Sequence, residues 1–328
     1  MKKKSLLILI VPIALGIFFS VSVLYYSTLD FNIGIGDKSS EYHDSINSRS
    51  ENLKLSAVDS KIYISGNSGW VAFKNAGNCT GSGTDSDPYV IKDLVLDSGG
   101  QGDGIKIEDS DVYFKIENST IYNSGTILFD AGGIRLVNVT NGIVTNNTIT
   151  SIYKGIYIEQ SDNIIISGNR ANNNSYNGIY LWYSMNIIVS GNIVNNNGND
   201  GIQIHDNSNN INVSGNIVNN NYDDGIYLIY SIDNIITGNT INNNGDDGIF
   251  LLGSNINIVS GNTLIGNQDC ITEQDSQGNV FSDNGSCSYG EEGTTPAIPG
   301  YNLLFLIGTL SALSFIILKK IKRTSKIK

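Results

Sequence analysis

The chain has 328 residues, of which 40% are hydrophobic and 16% charged, with a formal net charge of −11. Such a composition can bury a core and excludes a disordered polyelectrolyte. Three cysteines, Cys79, Cys270 and Cys287, are too few for a disulfide scaffold and lack C-x-x-C spacing, which excludes the common zinc and redox motifs and leaves open one pairing, Cys270 with Cys287.

The first predicted element is apolar. After the lysines of "MKKK", the run "SLLILIVPIALGIFFSVSVLYYS" fills residues 5–27, long enough to cross a bilayer and led by charges that stay in the cytosol. Residues 1–27 are therefore an export signal or an N-terminal anchor, and no A-x-A site follows to choose between them. Residues 28–60 form an acidic, polar linker that contains His43.

From 61 to 290 the chain repeats itself. The glycines Gly155, Gly178, Gly201, Gly225 and Gly248 open successive phrases at spacings of 23, 23, 24 and 23 residues, with looser versions at Gly104 and Gly133. A second register agrees: Gly168, Gly191, Gly215, Gly238 and Gly261, each in an "SGN" or "TGN", are spaced 23, 24, 23 and 23. A period of this length predicts a stacked array of like units.

Each unit reads as three short strands. After the opening glycine apolar residues alternate, as in Ile156 and Ile158, Ile179 and Leu181, or Ile226 and Leu228; a period of two predicts a half-buried strand. A second strand carries Ile166, Val189, Val213, Ile236 and Val259 inward, and a third carries Ala171, Val194, Val218, Ile241 and Leu264. Coils stacked about 4.8 Å apart would set equivalent residues above one another. Asn147, Asn169, Asn192, Asn216, Asn239 and Asn262 then form an inward file in which each amide both donates and accepts. The glycine before each, from Gly168 onward, supplies the bend.

The recurring "GIYLxxSxxNxIxGNxIxNN" resembles the right-handed parallel β-helix proteins of the NosD and pectate-lyase-like superfamily. Residues 81–105, "GSGTDSDPYVIKDLVLDSGGQGDGI", look like the entry coil of archaeal surface members. The resemblance implies an all-β, right-handed parallel β-helix over 61–290, built of three-strand coils of about 23 residues and flanked by N- and C-terminal hydrophobic helices. It implies no single function, because the superfamily includes polysaccharide lyases, hydrolases, epimerases, adhesins and a copper-maturation accessory.

Outward columns carry the choice. Two residues after the opening glycines stand Lys106, Arg135, Tyr157, Tyr180, Gln203, Tyr227 and Phe250; two further on stand Glu108, Val137, Glu159, Trp182, His205, Ile229 and Leu252. Tyr157, Tyr180, Trp182 and Tyr227, with Glu159 and His205, are the candidate glycan-binding residues, since rings on a sheet face suit stacking on sugars; the alternative is a cross-strand aromatic ladder. An enzyme on uronates would need an acid, a base and a cation together. Glu108 and Glu159 are separated by an intervening coil, Lys106, Arg135 and Lys154 lie in the first coils, and His205 lies two coils beyond Glu159, so no catalytic residue is assigned.

The acids that close the phrases form columns as well. Asp200, Asp224 and Asp247 precede their glycines, with Asp223, Asp246 and Asp269 expected alongside. Stacked like charges need raised carboxyl pKa values, an exposed and screened turn, or a hard cation such as Ca²⁺, for which Asp200, Asp224 and Asp247 are the candidate ligands. Copper is poorly served: apart from Met1 and the cysteines, its soft donors are Met185, His43 and His205.

Charge also separates by compartment. Nine of the 20 basic residues lie in the two terminal tails, leaving 11 against 31 acids, and no lysine or arginine occurs between Arg170 and Lys319. Nucleic acid is excluded as a partner, and a ligand of this half is neutral or cationic. Asn-x-Ser/Thr sequons at Asn78, Asn118, Asn138, Asn146, Asn173, Asn212 and Asn284 fit an exported, glycosylated surface.

Residues 291–299 form a linker. Residues 300–328 hold the apolar "NLLFLIGTLSALSFIIL" and the basic "KKIKRTSKIK", a transmembrane or sorting segment with a cytosolic tail. "PAIPGYNLLFLIG" with its basic end resembles the sorting and anchoring segments of archaeal surface proteins, with Tyr301 where Phe is usual. Together these features predict a membrane-tethered, extracytoplasmic β-helix that acts as a glycan-binding or structural module, with a carbohydrate-active enzyme and a metal-maturation accessory as the alternatives.

Overall fold

The structure, a computed structural model, describes residues 61–100, 102–123, 131–285 and 289–291, all within the compact unit Lys54–Lys328. The expected helices at 5–27 and 302–318, the linkers and both tails lie outside the described residues. Among the described residues no helix is long and apolar enough to cross a membrane.

The repeat folds as the spacing predicts, into a parallel β-helix. Strands that follow the opening glycines line up in a ten-stranded first sheet, those before each "GN" in a nine-stranded second sheet. A third face comprises a four-stranded and a three-stranded sheet, joined through single parallel bridges from Arg170 to Ile193 and from Ile193 to Ile217. Every described strand pair is parallel, and the register follows the repeat: Ile156, Ile179, Ile202, Ile226, Ile249 and Ile271 stand in one file. Crossovers between parallel strands are right-handed in nearly all proteins.

Inward files fill the core. Ile166, Val189, Val213, Ile236 and Val259 are buried, as are Ala171, Val194, Val218 and Ile241, while Leu264 is partly buried near the last coils. Between these apolar files runs the expected amide ladder. Asn192 Nδ2 donates to Asn216 Oδ1 at 2.9 Å and to the Ile166 carbonyl at 2.9 Å, and Asn216 Oδ1 also accepts the Asn192 backbone N–H. The file runs from Asn147 to Asn284. Two further inward amide files, Asn174 to Asn267 and Asn234 to Asn279, and a serine file from Ser161 to Ser276 complete the polar interior.

Asparagine has a second use. At the corners between sheets the chain turns through the left-handed region, as at Asn141, Asn163, Asn186 and Asn210, with φ of 61°, 54°, 54° and 56°. Asn tolerates this conformation better than other side-chain-bearing residues because its amide bonds locally. The "SGN" glycines do the same work; Gly191 has φ of 63°. Opening glycines serve space instead: a Cβ on Gly201 would lie 2.7 Å from the Gly225 carbonyl oxygen.

The N-terminal end carries an element that the periodicity does not show. Helix α1, Gly66–Asn75, follows the first strand, Ile62–Ser65, and buries Trp70 fully. The Trp70 ring stacks on Tyr89 at 5.1 Å and contacts Phe114 at 5.3 Å, closing the open end of the core. Cys270 is disulfide-bonded and Cys79 is free; Cys287 lies outside the described residues.

Candidate functional site

Two columns on the outward face of the first sheet hold the expected residues. Register places Arg135, Tyr157, Tyr180, Gln203, Tyr227 and Phe250 in one column, and Glu159, Trp182, His205, Ile229 and Leu252 in the next. Glu108 and Glu159 flank Val137, one coil to each side, so they form no carboxyl pair.

The six expected glycan residues divide. Tyr180, Trp182, His205 and Glu159 are half-buried neighbours on three successive coils. Tyr157, only 2% exposed, is covered: Arg135 lies 4.9 Å and Lys154 Nζ 4.1 Å from its ring centroid, and Tyr180 tilts against it at 5.2 Å. It supports the neighbouring rings from beneath. Tyr227 stands apart, stacked on Phe250 at 4.9 Å with 10° between the planes. Stacking along the coil axis turns edges rather than faces outward, so this pair forms the cross-coil ladder.

Polar groups orient the remaining rings. Trp182 Nε1 donates to Asp206 Oδ2 at 3.1 Å, and the same oxygen lies 3.0 Å from His205 Nδ1. Burial, aided by Lys154, outweighs the Asp206 charge and holds the His205 pKa below its ordinary value, so the imidazole is neutral near pH 7. Arg135 donates to Glu159 at 2.8 Å. Lys154 is 6% exposed and lies 4.5 Å from the Tyr180 centroid, a desolvated cation held over ring faces. The repeat pattern does not single out Lys154 or Asp206 as parts of the ring cluster. The signal for Lys154 is its place one residue before an opening glycine, where later coils carry Asn177 and Asp200.

That file leads into the acids. Backbone bonds from Gly155 to Asn177, Gly178 to Asp200, Gly201 to Asp224, Gly225 to Asp247 and Gly248 to Asp269 place Lys154, Asn177, Asp200, Asp224, Asp247 and Asp269 in one column. Asp269 therefore belongs with Asp247, and not beside Asp223 and Asp246 as the spacing suggests. The coil from Ile249 to Ile271 is one residue shorter than the one before it, which shifts Asp269 into line with Asp247.

The column is buried rather than screened. Asp200, Asp224 and Asp247 are 0%, 4% and 7% exposed. Burial, with Asp223 adding to it, pushes Asp200 up to about 8; burial, with Asp246 and Asp269 adding to it, raises Asp247 to about 7, and Asp224 lies well above the usual carboxylate range. Backbone N–H groups of Asp224 and Asp247 donate to the carboxylates one coil earlier, at 3.2 and 2.8 Å. The oxygens that approach one another within 4.8 Å belong to Asp223, Asp224 and Asp246. Beside them Tyr222, Asp223, Gly245, Asp246 and Gln268 line a shallow pocket of about 170 Å³.

Comparison with known proteins agrees with this architecture. The periplasmic alginate epimerase AlgG superimposes with a TM-score of 0.50 at 21% identity, over 59% of this chain and 49% of that chain. PfbA, a surface adhesin of Streptococcus pneumoniae, superimposes with a TM-score of 0.50 at 15% identity, over 64% of this chain and 63% of that one. The chain thus spans about half the length of the epimerase, and identities this low report the fold alone. No curated protein matches the sequence.

The family model for NosD, described as a periplasmic copper-binding protein, matches residues 115–285. Copper does not fit the donors among the described residues. Among the described residues the one group of His, Cys, Asp and Glu ligand atoms that converges is all carboxylate, Asp223, Asp224 and Asp246, a hard donor set, whereas copper seeks imidazole and sulfur. Cys270 is in a disulfide, Met185 is exposed and His205 Nδ1 faces Asp206. With more than half of its residues matched by that model, and with the coil architecture that goes with it, the chain belongs to the NosD family of extracytoplasmic β-helix proteins.

Proposed function

We propose that the protein is a membrane-tethered surface module that binds neutral glycan on the first sheet, over Tyr180 and Trp182. The carrying observation is the cluster of half-exposed rings on adjacent coils whose orientation is held by Asp206, Arg135, Glu159 and Lys154. Rigid aromatic faces bind sugar rings at small entropic cost. Neutrality follows from charge: Arg135 is paired with Glu159, Lys106 with Glu108, and no lysine or arginine occurs beyond Arg170 until Lys319. The tether rests on the apolar segments within 1–27 and 300–328. Calcium, in this reading, is an accessory ligand of Asp223, Asp224 and Asp246, whose all-oxygen set suits a hard cation.

A second reading, a carbohydrate-active enzyme, is favoured by one observation. Arg135, Glu159, Tyr180 and His205 come together more closely than their sequence spacing suggests, with Tyr180 and His205 ring centroids 6.0 Å apart. An array of neutral and uronate glycans, followed by assay for new reducing ends or unsaturated uronates, separates the two. Binding of neutral glycans without turnover is the expected result; turnover supports the enzyme, and an array with no binding overturns both.

A further inference from the structure

Seven sequons are scattered through the chain, and the fold sorts them. Asn118, Asn138, Asn146 and Asn173 occupy corners between sheets, each exposed and each in the left-handed region, with φ of 51°, 51°, 55° and 56°. Asn78 is exposed just after helix α1. By contrast Asn284 is 2% exposed and closes the inward amide ladder: its Nδ2 donates to the Val259 carbonyl at 2.9 Å and its Oδ1 accepts from Asn262 Nδ2 at 3.0 Å. Asn212 lies mid-column on the second sheet between Ile188 and Ile235 in register, half-buried, with its Oδ1 sealed from solvent.

We infer that the exported protein is N-glycosylated at Asn78, Asn118, Asn138, Asn146 and Asn173 and not at Asn212 or Asn284. In the transfer the asparagine Nδ2 attacks the anomeric carbon of an oligosaccharide carried on a polyprenyl phosphate or diphosphate. The carbon–nitrogen bond forms, the carbon–oxygen bond to phosphate breaks, the lipid phosphate leaves with the electron pair, and the amide gives up one proton. The product amide keeps one N–H. Asn138 can therefore be modified and still donate to Asp109 Oδ1, now 2.8 Å away at an exposed corner. The same substitution at Asn284 would place a sugar inside the coil, where the ladder leaves no space.

Asn118 and Asn146 share a corner column on adjacent coils, so a glycan on one narrows access to the other. All five accepted sites precede Asn174, and the coat therefore covers the N-terminal coils while the C-terminal coils stay bare. Left uncovered are the exposed isoleucines of the second sheet, Ile188, Ile235 and Ile258.

Glycopeptide mass spectrometry of the full-length protein from its own cells tests this. Expected are hexose-bearing adducts at Asn78, Asn138 and Asn173 and at one or both of Asn118 and Asn146, with Asn212 and Asn284 unmodified. Thr148→Ala and Ser175→Ala remove the Asn146 and Asn173 sequons while keeping both asparagines; each should lose its own adduct with an unchanged melting temperature. Seven unmodified sequons in the exported protein, or a sugar on Asn212 or Asn284, would overturn the inference.

Discussion

One asparagine and its near neighbour in sequence separate two roles for the same side chain. Asn216 accepts from the backbone and side chain of Asn192, and donates to Asn239 and to the Val189 carbonyl. Asn216→Leu strands all of these partners inside the coil, and each buried orphan costs about 1–3 kcal/mol. Asn212 faces outward with an Oδ1 that has no partner, so Asn212→Ala removes an unsatisfied group and should leave stability nearly unchanged. Thermal melts of the two variants check this, and equal shifts would deny the ladder its energetic weight. At the ring cluster, Trp182→Ala removes a half-exposed face that Asp206 holds. Glycan affinity should fall by about tenfold or more, as for a central aromatic contact, with the far-ultraviolet spectrum unchanged. Tyr227→Ala, in the edge-on ladder with Phe250, should leave affinity intact.

The acid-bearing turns make the next scale up pH-sensitive. Asp200 and Asp247 hold protons in the folded state up to about 8 and about 7, whereas an unfolded Asp releases its proton near pH 3.9. The folded state thus binds more protons between these limits, and stability falls as pH rises across them. The contribution is fully present below about pH 4 and lost as pH climbs through 7 to 8. Melting temperature should therefore decline from pH 5 to pH 8, by about 2–4 °C for each kcal/mol lost in a domain of this size. Asp200→Asn with Asp247→Asn should flatten that slope. Calcium acts on the deprotonated form: at pH 8, millimolar calcium should raise the melting temperature relative to chelator, and Asp223→Asn with Asp246→Asn should abolish the difference. Identical melts of the parent protein with and without calcium would remove the ion from the proposal.

At the scale of the whole molecule, an open-ended coil stack needs a cover for its apolar interior. Helix α1 supplies it through Trp70, packed on Tyr89 and Phe114. Trp70→Ala should cost about 3–5 kcal/mol, as for a large-to-small change at a buried ring, and a denaturant midpoint within error of the parent would show the cap to be dispensable.

How much of this was legible follows from what a period can encode. A repeat of 23 residues with alternating isoleucines dictates stacked strands, inward files and the Asn147 to Asn262 ladder, because in-register stacking copies each position onto the next coil. The outward columns, Tyr157 with Tyr180 and Glu159 with Trp182, follow by the same rule. The cap occurs once and so leaves no periodic trace. Spacing alone sets Asp269 beside Asp246, whereas its coil is one residue short and brings it under Asp247.

Sequence alone determined the architecture, because strand period, turn residues and repeat length are local properties. Tertiary structure decided which equivalent residues are equivalent in chemistry: that Tyr157 is buried under Arg135 and Lys154 while Tyr180 is not, and that the Asp200 column is enclosed instead of solvated. Burial and electrostatics depend on what neighbouring coils place above and below a side chain, and the residues of one repeat do not carry that information.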